Sequence, residues 1–239
     1  MKHTILKAGE IPDWAAAELA KSFTVLELPR NPEDAAAFLQ KHGARVEGVA
    51  LRKTKITEAF LSAVPNLKII SSYSAGLDNV DLEAVRRHGV RIENTSRVLA
   101  EDVANMAIGL ALALTRNVVE GDRFVREGRW PAQKQFRVGR SISHMRVGIV
   151  GLGTIGSALA RRLAVFGSQV AYYDVAPKDV GYRYYADVQK MAEESDMLIL
   201  TCPLLASTRH LVETKVLNAL GPKGFLVNIS RGPVVAEEA

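Results

Sequence analysis

Apolar runs of strand length alternate with helical patterns along this chain, and the alternation occurs twice, which leaves few architectures open. In the first half the strand candidates are Thr4–Lys7, Thr24–Leu28, Val46–Leu51, Leu67–Ser71 and Val90–Glu93, separated by helical stretches such as Pro32–His42 and Leu82–His88. In the second half they are Arg146–Val150, Gln169–Tyr173, Met197–Thr201 and Phe225–Ile229, with a helix over Thr154–Phe166. Parallel strands need a crossover between them, so repeated β-α predicts parallel sheets with helices on both faces. The expected fold class is α/β: two doubly wound parallel-sheet units, residues 1–96 and residues 97–239. A helix over Ala100–Arg116 leads into the second unit, and its Val103, Ala107, Leu110 and Leu114 recur on one face. Glu101 and Asp102 near its start and Arg116 at its end suit the helix dipole. Glu120–Ser143, with Gly121, Gly128, Pro131 and Gly139, reads as irregular.

Bulk properties narrow the function classes. A chain of 239 residues, 48% hydrophobic and 24% charged, buries a substantial core. The opening segment lacks the long apolar core of a signal peptide, and no run of about 18 uncharged apolar residues is present to span a bilayer. A cytoplasmic protein without a membrane partner is therefore expected. The single Cys202 excludes an internal disulfide, and no Cys/His spacing suggests zinc, so no metal is expected. The formal charge of +5 is dispersed; its densest cluster, Arg86, Arg87, His88 and Arg91, has no interleaved aromatic residues. It reads as a solvated helix face rather than a nucleic-acid patch.

The most informative motif is Gly151-Leu152-Gly153-Thr154-Ile155-Gly156, which follows an apolar strand and opens an apolar helix. That context turns a weak glycine pattern into a dinucleotide-binding expectation. Gly151 permits the tight turn, Gly153 lets the backbone approach a pyrophosphate, and Gly156 lets helix and strand pack closely. The helix N-terminus then offers free N–H groups to the anion, which places Thr154 and Ile155 in the cofactor set. Asp174 ends the next strand, 18 positions after Gly156. There it can accept hydrogen bonds from the ribose hydroxyls and would repel a 2′-phosphate, favouring NAD over NADP. A strand-end cap is the plainer reading of the same residue. Lys178 nearby leaves NADP possible.

About 145 residues precede the glycine loop, an order unlike that of dehydrogenases in which the loop opens the chain. Five blocks in sequence resemble the D-2-hydroxyacid dehydrogenases, and within them the branch that reduces glyoxylate, hydroxypyruvate and hydroxyphenylpyruvate. They are Ser72–Asp81, Val98–Ala104, the glycine loop, Cys202-Pro203 with Thr208, and Val227–Gly232. The resemblance implies a flavodoxin-like substrate domain followed by a Rossmann domain that is incomplete at its C-terminus. It implies that the backbone N–H groups of Ala75 and Gly76 hold the substrate carboxylate, an arrangement that a turn of exposed amides can provide. It makes Arg231 the catalytic arginine, whose planar fork can grip the carboxylate and polarise the carbonyl that receives hydride. Cys202, Pro203, Thr208, Ile229, Ser230 and Arg231 are expected beside the cofactor. A nucleophilic role for Cys202 is not expected, since no partner histidine is indicated.

The resemblance also implies a homodimer through the nucleotide-binding domain, with Trp130 on the arm that reaches the neighbouring subunit; packing within its own domain is the competing reading. Family members carry a glutamate and then a histidine beyond the arginine, where the histidine acts as general acid/base and the glutamate raises its pKa. Here no histidine follows Arg231, and His144 stands at the wrong end of the second sheet. Two readings stay open: a truncated piece of a working oxidoreductase, or a catalytically inactive nucleotide-binding fragment. Formate or phosphite oxidation on the same fold is a lesser alternative. In the usual strand order 3-2-1-4-5-6, Phe225–Ile229 is expected to be an unpaired edge.

Overall fold

The computed structural model describes residues 2–133 and 135–239 and divides them into two compact units, Met1–Arg97 and Val98–Ala239. Each is an α/β unit built on a five-stranded, all-parallel sheet.

In unit 1 the order is β1 (Thr4–Ala8), α1 (Asp13–Ser22), β2 (Thr24–Glu27), α2 (Pro32–His42), β3 (Gly48–Leu51), α3 (Glu58–Ser62), β4 (Ile69–Ser72), α4 (Leu82–Arg87) and β5 (Arg91–Glu93). The strands lie in the spatial order β2-β1-β3-β4-β5. The connecting helices start where side chains satisfy the free N–H groups of the first turn. The Asn31 side chain accepts from Glu33 N at 2.9 Å with Pro32 in the first helical position, Thr57 accepts from Phe60 N at 3.3 Å, and Asp81 accepts from Ala84 N at 2.9 Å. Leu6, Val49, Leu51 and Ile70 from the strands pack with Leu39, Phe60, Leu61 and Val85 from the helices as one buried cluster.

Unit 2 begins in α5 (Ser96–Thr115), followed by α6 (Val118–Arg126), α7 (Arg129–Gln133), β6 (Arg146–Val150), α8 (Thr154–Val165), β7 (Gln169–Tyr173), β8 (Arg183–Tyr185), α9 (Val188–Glu193), β9 (Met197–Leu200), α10 (Thr214–Leu220) and β10 (Phe225–Asn228). Its sheet runs β10-β9-β6-β7-β8. Among the described residues Phe225–Asn228 pairs with β9 alone, as expected of an edge.

Two details depart from the sequence reading. The stretch Glu120–Ser143 is helical in its first part rather than irregular. Asp122 and Arg126 pair across one helical turn at 2.8 Å, Phe124 is buried, and Gly128 (φ 66°) ends the helix in the left-handed conformation that glycine adopts without cost. The buried face of α5 is its small-residue face, Ala100, Ala104, Ala107, Ile108 and Ala111; of the four residues expected to share a core face only Ala107 is buried, while Leu110 and Leu114 are exposed. That face enters the buried cluster that holds Val147 and Ile149 of β6 and Leu159 and Leu163 of α8, and this placement outweighs leucine periodicity here. By length and composition α5 is also apolar enough to cross a membrane, although its uncharged stretch begins only at Val103 and its alanine face lies in the buried cluster of unit 2.

At the amino-terminal ends of these strands Asp196 ties three segments together. It accepts from Arg146 N (2.9 Å), from the Arg146 guanidinium (3.1 and 3.2 Å) and from Arg140 Nη2 (3.3 Å). The Arg146 guanidinium is the main reason its carboxyl lies below the usual aspartate range. A folded pKa below the unfolded one contributes stability that is complete above the unfolded value and is lost as pH falls through the folded one. Asp196→Asn is expected to destabilise the chain by about 1–3 kcal/mol at neutral pH and to flatten the acid side of its melting temperature against pH. An acid limb as steep as that of the parent chain would contradict this role.

Candidate functional site

The carboxyl ends of β6, β7, β9 and β10 carry the expected cofactor residues of unit 2, and hydrogen bonds join most of them into a continuous rim. After β6 the chain turns at Gly151 with φ 95°, and a Cβ there would stand 2.8 Å from Cys202 Cα, so no side chain fits. Gly151 N donates to Tyr173 O at 2.8 Å, and the Thr201 hydroxyl donates to Gly151 O. Cys202 is buried, and that burial pushes its thiol pKa up, the opposite of what a nucleophile needs. Its carbonyl accepts the Ser230 hydroxyl, which links β9 to β10. Ile229 N donates to Leu200 O at 3.3 Å, the last rung between those strands.

Helix α8 starts at this turn with no side chain capping it, so its first N–H groups, those of Thr154, Ile155 and Gly156, face outward. Nothing lies within 4 Å of where a Gly153 Cβ would be. A glycine turn and a helix N-terminus facing open space fit the diphosphate of a dinucleotide. Asp174 leaves β7 beside this turn and accepts from Leu152 N (2.8 Å) and Val175 N (2.8 Å), and Lys178 Nζ lies 3.1 Å from it. It therefore both caps the strand end and holds the glycine loop.

Arg231 follows Ser230 in extended conformation, its Nη1 donating to Ser230 O at 2.9 Å while its own carbonyl accepts from Asn228 Nδ2 at 3.0 Å. Thr208 is placed differently. Its buried hydroxyl donates to Pro203 O at 2.6 Å and accepts from Leu205 N at 2.7 Å, so it staples the turn after Cys202-Pro203. Sequence reasoning passed over Thr201, which no motif distinguishes from any other strand-end threonine.

In unit 1, Ala75 and Gly76 lie in the turn after β4. Asn94 Nδ2 donates to Ala75 O at 3.0 Å and Thr95 N to Ser74 O at 3.2 Å, which pin the turn. Among the described residues the N–H groups of Ala75 and Gly76 donate to nothing, and the buried Ser72 hydroxyl just before them has no partner. A pinned turn with two open amides is suited to an anion.

Residues 108–239 match the profile of the D-isomer specific 2-hydroxyacid dehydrogenase, NAD binding domain. The chain belongs to the D-isomer-specific 2-hydroxyacid dehydrogenase family. A 2-hydroxyacid dehydrogenase of this kind, glyoxylate/hydroxypyruvate reductase A of Arabidopsis thaliana, is 44% identical over 236 residues, 98% of this chain and 75% of its own. The hydroxyphenylpyruvate reductase of Plectranthus scutellarioides is 46% identical over 235 residues, 98% of this chain and 74% of its own. The solved NADPH-dependent glyoxylate/hydroxypyruvate reductase of Sinorhizobium meliloti, in complex with NADP and malonate, superposes with a TM-score of 0.84 at 35% identity, covering 100% of this chain and 74% of that one. The chain thus spans about three-quarters of these 2-hydroxyacid dehydrogenases.

Proposed function

We propose that this chain carries the nucleotide site and the substrate-gripping groups of an oxidoreductase that moves hydride between NAD(P)H and a small 2-oxoacid, with glyoxylate or hydroxypyruvate as the substrate. The observation that carries the reading is the rim of unit 2, where the glycine turn, Asp174 and Arg231 stand at the carboxyl ends of neighbouring strands. The family and the names of its relatives support the substrate class. When bound, the nicotinamide supplies or accepts the hydride. Gly151, Gly153, Thr154, Ile155 and Gly156 are assigned the diphosphate, and Asp174 the ribose. Cys202, Pro203, Thr208, Ile229 and Ser230 line or brace the same rim. Ala75 and Gly76 are assigned the substrate carboxylate. Arg231 is assigned polarisation of the carbonyl, where its fixed positive charge stabilises the developing alkoxide.

Proton transfer is the step these residues do not account for. His3 pairs with Glu47 at 2.9 Å, His88 with Glu58 at 2.6 Å, His144 sits in the turn before β6, and no histidine follows Arg231 in the 239 residues. A polypeptide of these residues is expected to bind NADH, seen as a change in its fluorescence, yet to consume it with glyoxylate or hydroxypyruvate about 10²–10⁴-fold more slowly than an enzyme with a general acid. Rapid consumption would show that another group supplies the proton. Absence of NADH binding would remove the nucleotide reading. Binding with no consumption at all is what the alternative, an inactive nucleotide-binding fragment, requires.

We further propose a cytoplasmic homodimer formed through unit 2. Met106, Leu110 and Leu114 on α5 and Val118, Val119 and Val125 on α6 stand exposed, and apolar side chains on two successive helices support a partner there. Trp130 is 53% exposed and meets Phe124 edge-on at 6.1 Å, so one side of its ring packs within its own unit. Trp130→Ala is expected to weaken self-association in sedimentation velocity, and an unchanged sedimentation profile would exclude it from the interface.

A further inference from the structure

We propose that Lys178 sets the cofactor preference of the nucleotide site, admitting NADPH as well as NADH by moving its ammonium between the Asp174 carboxylate and a 2′-phosphate. This rests on the reading of unit 2 as a dinucleotide site.

An acid at the end of β7 taken alone predicts rejection of NADPH, because a carboxylate repels a phosphate brought to the same ribose. Here the acid has a companion. Lys178 Nζ lies 3.1 Å from Asp174 Oδ2 and donates to Leu152 O at 2.9 Å, so the ammonium bridges the acid and the glycine loop. A group that docks on Asp174 meets a cation one hydrogen bond away.

The root of Lys178 is fixed while its charged end is not. Tyr172, fully buried and packed against Tyr184 at 5.4 Å, accepts from Lys178 N at 2.7 Å and donates to Lys178 O at 3.3 Å. The Tyr184 hydroxyl in turn donates to Asp174 O at 3.3 Å. The lysine side chain is 39% exposed against 15% for Asp174, so the ammonium is the partner able to move. A four-carbon stem lets it travel without disturbing the main chain, and a compact ammonium exchanges carboxylate for phosphate more readily than a guanidinium fork would. Asp174 would not be orphaned by that movement, since the Leu152 and Val175 N–H groups continue to bond it. With NADH the ammonium stays on Asp174 and the acid accepts the ribose hydroxyl; with NADPH it turns to the phosphate.

The test is a fluorescence titration of the 239-residue chain and of Lys178→Met, Lys178→Gln and Lys178→Arg with NADH and NADPH, read as the ratio of the two dissociation constants. In the parent chain the two are expected within about 10-fold of each other. Met and Gln are expected to shift the ratio toward NADH by about 10–100-fold, the loss of one charge-assisted hydrogen bond, and Arg to restore most of it. Gln keeps a donor for Leu152 O, so it separates charge from any loosening of the turn. A ratio that stays constant in Met and Gln, even if both affinities fall together, overturns the proposal and leaves Lys178 as a brace of the glycine loop. A parent chain that binds NADH and rejects NADPH also overturns it while leaving the dinucleotide reading intact. A parent chain that binds neither overturns both.

Discussion

A Gly156→Ala chain is expected to bind NADH about 10–100-fold more weakly and to lose about 1–3 kcal/mol of stability. The added methyl would stand 2.2 Å from Gly151 O and 3.0 Å from Thr201 Oγ1, and the first of these is backbone in the tightest part of the turn. Relief requires α8 to move off β6, which withdraws the Thr154 and Ile155 N–H groups from their positions and strains the hydroxyl bond of Thr201 to Gly151 O. Gly153→Ala supplies the contrast, because nothing lies within 4 Å of its added Cβ and its φ of −76° suits any residue. That variant is expected to melt with the parent chain yet to bind NADH more weakly, since the methyl occupies the space in front of the helix. Thermal melting and an NADH titration of both variants decide the matter. Unaltered NADH affinity in Gly156→Ala would refute the assignment of the diphosphate to this turn.

Arg231→Ala is expected to weaken binding of a non-reducible 2-oxoacid mimic such as oxamate to the NADH-bound chain by about 10–100-fold, the contribution of a charge-assisted hydrogen bond to the carbonyl oxygen of the 2-oxoacid. The main chain there is held independently of the guanidinium: Asn228 Nδ2 and Val234 N both donate to Arg231 O, at 3.0 and 3.1 Å. The melting temperature of this variant, read beside the parent chain, separates a loss of oxoacid binding from a loss of fold. Arg231→Lys is expected to recover only part of the affinity, because a point charge cannot present two parallel donors. A titration of the NADH-bound chain with oxamate, followed by the change in bound-NADH fluorescence, reads the result. Equal oxamate affinity in the alanine variant would leave Arg231 without its assigned role.

The glycine loop and Asp174 were legible in the sequence because strand-to-helix turns impose strict local chemistry, whereas Cys202, Pro203, Thr208, Ile229, Ser230 and Arg231 were placed through the family resemblance. Arg146–Val150 and Gln169–Tyr173 read as strands at their structural bounds, and the glycines between them are spaced by steric needs that few other structures share. The edge position of β10 among these residues followed from the usual strand order of such sheets. Other features were hidden for physical reasons. β8, Arg183–Tyr185, is three residues long and incompletely buried, too short for a period-2 pattern to register. Gly128 and Pro131 read as breakers of α6 and α7, whereas Gly128 serves as a terminator and Pro131 lies inside the first turn of a short helix. The burial of α5 was misread because leucines dominate any periodicity count, while the face that enters the buried cluster of unit 2 is the alanine face. Contacts such as Thr208 to Pro203 and Lys178 to Leu152 depend on how a turn folds back on itself, and residue spacing does not encode that.

The one-sided pairing of β10 has a concentration scale attached to it. Its free edge is a template that any extended segment can read, and segments compete for it by proximity rather than by composition alone. A strand tethered to the same chain through a short linker samples that edge at an effective concentration on the order of millimolar. Free copies of the protein at micromolar concentration cannot match it. Pairing through β10 between copies of these 239 residues would then become competitive only at comparably high concentration.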